Sequence, residues 1–215
     1  MTSSTLSNNV PGPGGAGGAR DPGPGAPGGT GGSAGAVLNS GTLTMLNSTL
    51  YGNQVGEGGA GGPDNGVHGG PGTTGGIMNT GGTATLHFLT IASNAGDLNA
   101  GGTVKLEGTI IAGSTDGPNC VGTISEEGGY NLDSGASCGL SLGTDKSSVE
   151  PNLGPLAANG GPTQTLALLT GSPAIDAGGT SATGCPAIDQ RGVARPDGAG
   201  DTACDIGAYE SQGLG

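Results

Sequence analysis

Three segments of the chain alternate polar and apolar residues with a period of two and align with one another. Thr42-Leu43-Thr44-Met45, Thr83-Ala84-Thr85-Leu86 and Thr103-Val104-Lys105-Leu106 each place an apolar side chain at every second position, the pattern of a strand with one buried face. The cassettes Val37-Leu38-Asn39-Ser40-Gly41, Ile77-Met78-Asn79-Thr80-Gly81 and Asp97-Leu98-Asn99-Ala100-Gly101 precede them, and Thr49-Leu50, Thr90-Ile91 and Thr109-Ile110 follow. Thr90 and Thr109 are 19 residues apart, whereas Thr49 and Thr90 are 41 apart and Thr5 and Thr49 are 44 apart. The excess falls in two Gly/Pro-rich tracts, 11–34 and 56–74. A unit of roughly 20 residues with insertions at one corner is what a stacked solenoid tolerates, because only the strands must keep register.

Such a unit cannot bury its apolar side chains alone and must stack on its neighbours. The alignment predicts three internal columns: Leu6, Leu50, Ile91 and Ile110; Leu43, Ala84 and Val104; Met45, Leu86 and Leu106. The resulting fold is all-β, a parallel β-helix. Asn39, Asn79 and Asn99 are expected to form a ladder at a turn, with Gly41, Gly81 and Gly101 supplying positive φ. The two tracts are expected to leave one side as flexible loops. Coils with these insertions occupy 1–113, and 114–215 reads as the final coils and a C-terminal cap of the same continuous solenoid. Ser4-Thr5-Leu6 matches the end of a unit, so the chain reads as a C-terminal piece of a longer protein.

Composition narrows the function. The 52 Gly and 14 Pro of 215 residues exclude a helical protein. Five basic residues against 17 acidic ones, a net charge of −12, argue against nucleic-acid partners and anionic lipid surfaces. No apolar run reaches the roughly 18 residues of a membrane-spanning helix. Cys120, Cys138, Cys185 and Cys204 lack the spacing of zinc or redox motifs and read as structural disulfides, with three connectivities open. An oxidising, extracellular or cell-surface location follows, with an export signal expected upstream. A monomer is expected.

The C-terminal motifs add a family. Asn152-Leu-Gly-Pro-Leu-Ala-Ala-Asn-Gly-Gly-Pro-Thr-Gln-Thr-Leu-Ala-Leu-Leu-Thr-Gly-Ser-Pro-Ala-Ile-Asp176, Asp189-Gln-Arg-Gly-Val-Ala-Arg-Pro196 and Cys204-Asp-Ile-Gly-Ala-Tyr-Glu210 resemble the bacterial choice-of-anchor Q proteins. The repeat Gly41-Thr-Leu-Thr-Met-Leu-Asn-Ser-Thr-Leu-Tyr-Gly-Asn53 is similar to theirs. The resemblance implies a secreted or surface-attached right-handed parallel β-helix. It implies no shared reaction.

Few residues suit catalysis. Asp197, Asp201 and Asp205 recur every four residues, with Asp176 and Asp189 as neighbours through a Pro-Ala-Ile-Asp echo. These are hard oxygen ligands fit for Ca²⁺, or turn residues paired with Arg191 and Arg195, and the local mixture of charges favours the second. His87, Lys105 and Glu107 are expected to face outward on adjacent coils as the nearest approach to an active constellation. His68 reads as a loop residue. Outward Thr42, Thr44, Thr83, Thr85 and Thr103 form a polar array typical of exposed strands. The function expected from the sequence is a non-catalytic extracellular module for surface structure, adhesion or recognition of a carbohydrate or cell-surface ligand. A polysaccharide-degrading enzyme is the alternative.

Overall fold

In the computed structural model, which describes residues 1–20, 23–198 and 202–213, the repeated segments stack as a parallel β-helix. The first coil contributes β1 (Thr5–Ser7). The next three coils each supply three short strands: β2 (Val37–Asn39), β3 (Thr42–Leu46) and β4 (Thr49–Tyr51); β5 (Ile77–Asn79), β6 (Thr83–His87) and β7 (Thr90–Ala92); β8 (Leu98–Ala100), β9 (Thr103–Glu107) and β10 (Ile110–Ala112). A looser coil carries β11 (Cys120–Gly122), β12 (Glu126–Gly129) and β13 (Leu132–Asp133), followed by β14 (Lys146–Ser147). Strands of successive coils pair in parallel as three sheets, ordered β1-β4-β7-β10-β13-β14, β11-β8-β5-β2 and β12-β9-β6-β3.

Strand register builds the columns. Leu43, Ala84 and Val104 align, as do Met45, Leu86 and Leu106. Two expected registers are displaced by one residue. Ile111, not Ile110, continues the column of Leu6, Leu50 and Ile91, because Ile110 pairs with Thr90. Ile110 is buried instead with Leu132, Leu168, Ala174 and Ile206 of the C-terminal half. A strand covered on both faces loses its polar alternation, so polarity could not fix its phase. Similarly, Leu98 aligns with Val37 and Ile77. Asn39 Nδ2 donates to Asn79 Oδ1 at 2.7 Å, but Ala100 takes the third rung and Asn99 lies opposite Met78. Of Gly41, Gly81 and Gly101, only Gly81 has a positive φ, 153°.

The continuous amide ladder runs at another corner. Asn9 Nδ2 donates to Asn53 Oδ1, Asn53 Nδ2 to Asn94 Oδ1 and Asn94 Nδ2 to Asp97 Oδ1, each at 2.7 Å. Each rung satisfies a turn that would otherwise bury unpaired polar groups. The ladder ends on a group that is not satisfied: Asp97 is inaccessible and its Oδ2 has no hydrogen-bond partner among the described residues. Burial pushes the Asp97 carboxyl up to about 7, against the lowering effect of the Asn94 hydrogen bonds and with a further push from the Asp133 charge.

The Gly/Pro tracts are regular rather than loose. Each folds into two antiparallel arms, covering 11–18 and 23–33 in the first tract and 55–62 and 66–74 in the second. Backbone hydrogen bonds link the arms every three residues. Gly14 and Gly17 donate to Glu57 and Ala60, Gly28 and Gly31 to Val67 and Gly70, and Gly56, Gly59 and Gly62 to Gly32, Gly29 and Ala26. A period of three, with bonds between arms rather than along them, marks polyproline II helices; strands would give a period of two. Two stacked layers therefore form a slab that extends the coil stacking sideways. Glycine is obligatory inside it: a β-carbon on Gly14, Gly28, Gly31, Gly59 or Gly69 would collide with a carbonyl oxygen of a facing arm.

After β14, an antiparallel hairpin of β15 (Leu153–Ala157) and β16 (Thr165–Leu168) leads into a segment that caps the stack along its flank. Gln190 Nε2 donates to Thr5 Oγ1 at 2.9 Å, and Thr49 Oγ1 donates to Gln190 Oε1 at 2.7 Å. Asn47 Nδ2 donates to the Ile188 carbonyl, and the Ala208 N–H to Thr90 Oγ1. Disulfides join Cys120 to Cys138 and Cys185 to Cys204.

Two expectations follow. Gly28→Ala, which forces a β-carbon against the Gly59 carbonyl, should cost about 1–3 kcal/mol, read as a lower melting temperature; an unchanged midpoint would mean the arms are not packed. Asp97 holds its proton more tightly folded than unfolded, so its contribution to stability is present below about pH 4 and lost as pH rises to about 7. The slope is about −1.4 kcal/mol per pH unit inside that window. Asp97→Asn should flatten the pH dependence of denaturant midpoints between pH 4 and 7, and an identical profile in both proteins would refute the assignment.

Candidate functional site

The outward face of the β3-β6-β9-β12 sheet carries the charged residues of the repeat. Register places Thr85 opposite Lys105 and His87 opposite Glu107, as the sequence alignment requires. Together with Gly128 they line a groove of about 430 Å³. Gly128 opens it, since a larger residue there would crowd the Glu107 side chain. Gly184 of the flanking segment closes against the Glu107 carboxylate from another side. Glu107 is thus confined between two glycines.

His87 Nε2 lies 3.2 Å from Glu107 Oε2, but it is shut off from solvent and makes no directional hydrogen bond among the described residues. Burial holds the imidazole below its ordinary pKa. The Glu107 charge raises it and Arg195 lowers it, the latter lying 5.0 Å over the Phe88 ring, which His87 meets edge-on. His87 is therefore neutral at pH 7, and its contact with Glu107 at that pH is one of imidazole and carboxylate, not an ion pair. A neutral imidazole beside a carboxylate, in a groove that Lys105 also lines, can accept a proton near a bound anion.

The second charged cluster is structural. Asp189 accepts from Arg191 Nε at 2.8 Å and from the N–H groups of Arg191, Val193 and Glu210. Arg191 also stacks 3.7 Å over the Tyr209 ring. Buried Arg195 donates to the carbonyls of Asp205 and Gly207 and pairs with Glu210 at 3.1 Å. Asp205 accepts the N–H groups of Asp176 and Ser211. Burial pushes the Asp205 and Glu210 carboxyls upward while Arg195 pulls them back. The carboxylate oxygens of Asp189 and Asp205 are already pointed at N–H donors, and no group of three potential metal ligands gathers among the described residues. Asp201, the middle member of the acidic series, lies outside the described residues. His68 stays exposed on the fourth glycine arm.

Sequence reasoning located the groove but missed what frames it. Gly184 and Arg195 reach His87 and Glu107 from about a hundred residues downstream, which no local pattern discloses. No protein-family model, curated protein or solved structure matches the chain.

The site makes one measurable demand. In an NMR titration His87 should have a midpoint below 6.5, and Glu107→Gln, which removes the charge that raises it, should move the midpoint lower still. A midpoint above 6.5, or an upward shift in the variant, would contradict the described surroundings.

Proposed function

We propose that this protein is an extracellular, non-catalytic β-helix module of the choice-of-anchor Q type, serving surface structure or adhesion through a carbohydrate or cell-surface ligand. The observation that carries the reading is the use to which the ionisable groups are put. Asp189, Arg191, Arg195, Asp205 and Glu210 bond to one another and to the backbone of the flanking segment, setting its shape, and the long outer sheet offers mainly threonine hydroxyls. Rows of hydroxyls on a rigid sheet suit repeated weak contacts with sugars rather than turnover. Two disulfides fit an oxidising environment, and among the described residues no helix is long and apolar enough to cross a membrane.

The groove favours a second reading, a polysaccharide-degrading enzyme. There His87 would take a proton beside a sugar carboxylate held by Lys105, with Glu107 orienting the imidazole. Incubation of oxidised protein with neutral and acidic polysaccharides separates the two. The first reading predicts saturable retention on at least one glycan or on cells without new reducing ends. Release of reducing ends that disappears in His87→Ala and Lys105→Ala variants would replace it with the second.

A further inference from the structure

We infer that the outer face of the glycine slab is a docking surface for a further glycine-rich polypeptide, itself in polyproline II conformation with glycine at every third position. The same face one layer down already binds such a partner. There the carbonyls of Glu57, Ala60, Val67 and Gly70 accept from the upper layer, and the N–H groups of Gly56, Gly59 and Gly62 donate to it. Counterparts in the upper layer follow from the stacking offsets, 44 residues from Asn9 to Asn53 and 40 from Ala34 to Thr74. They are the carbonyls of residues 13, 16, 27 and 30 and the N–H groups of residues 12, 15 and 18. Among the described residues none of these groups has a hydrogen-bond partner. The face repeats the donor and acceptor set that holds the two existing layers together.

Steric requirements agree. A β-carbon at Gly56, Gly59 or Gly62 would collide with the backbone of the layer above, and all three residues are buried. At Gly12, Gly15 and Gly18 a β-carbon would meet nothing within 4 Å, the residues are exposed, and none has a positive φ. Neither backbone conformation nor internal packing calls for glycine there, whereas a covering layer does.

The relation continues beyond the slab. Gly82 and Gly102 lie against the carbonyls of Gly41 and Gly82, while Gly41 faces open space. Beside it β2 is hydrogen-bonded to β5 alone. Val37 and Leu43 are only partly covered, whereas Ile77 and Ala84 directly beneath them are inaccessible. The surface therefore runs from the slab across the open strand edge, and it selects for a backbone that approaches without side chains. This inference does not depend on the carbohydrate reading.

The test titrates the labelled full chain by NMR with a synthetic peptide of the sequence of residues 11–32, whose glycines have the required phase. A peptide of equal composition with that phase broken serves as control. Saturable shifts confined to 12–18 and 27–30, with the first peptide only, are expected. Gly15→Val should melt like the parent protein and bind at least about tenfold more weakly. Gly59→Val, the same position one layer down, should lower the melting temperature. No shift at millimolar peptide, equal binding of both peptides, or undiminished binding by Gly15→Val overturns the proposal. Concentration-dependent dimers that Gly15→Val abolishes would overturn it in favour of a second copy as occupant.

Discussion

Hydrogen bonding between backbones one coil apart sets the terms for everything else in this protein, because the coils' short strands of two to five residues, β1 to β14, gain their strand partners from the coils above and below. The spacing it imposes, about 4.8 Å between neighbouring chains, decides which side chains meet. Apolar residues become continuous internal columns, and polar residues at the corners become ladders of amides. Ionisable groups on the outer face become neighbours, as His87 and Glu107 do. A residue's role is thus fixed less by its immediate neighbours in sequence than by the residues one coil away.

The same constraint admits two backbone solutions in one stack. Where side chains alternate, the chain runs as strands; where glycine recurs every third residue, it runs as polyproline II arms. In both, successive layers keep the parallel sense, as the pairing of Ala34 with Thr74 shows at the junction between slab and strand. Glycine is costly in an isolated extended chain because it loses the most freedom on ordering. Here it also removes the atom that would hold the layers apart, and the arms recover hydrogen bonds on several sides. The slab is consequently narrow, nearly devoid of side-chain packing, and still periodic.

The stacked core was legible in the sequence because Thr42 to Met45, Thr83 to Leu86 and Thr103 to Leu106 carry their phase openly. The phase failed at Ile110 and Leu98. At Ile110 both strand faces are apolar, since the C-terminal half covers the outer one, and at Leu98 the preceding Asp97 is drawn inside by the amide ladder. The slab had a visible signal in its every-third glycines at 14 and 17, 25 to 31, 56 to 62 and 66 to 72, but the abundance of glycine masked its period. The groove was legible as far as His87, Lys105 and Glu107 share a sheet face. Its frame was not, because Gly184 and Arg195 arrive through contacts that sequence separation hides.

Thr5 in the first coil and Gln190 in the flanking segment are partners across 185 residues, and this has a consequence for how the molecule is made. A solenoid can ordinarily close coil by coil as the chain is synthesised or threaded through an export channel, each turn templating the next. In this protein the early coils receive their lateral tie from residues 118 to 185 positions further along the chain. Until that segment is in place Thr5, Asn47, Thr49 and Thr90 stay unclamped, so completion of the early coils waits on residues far along the chain.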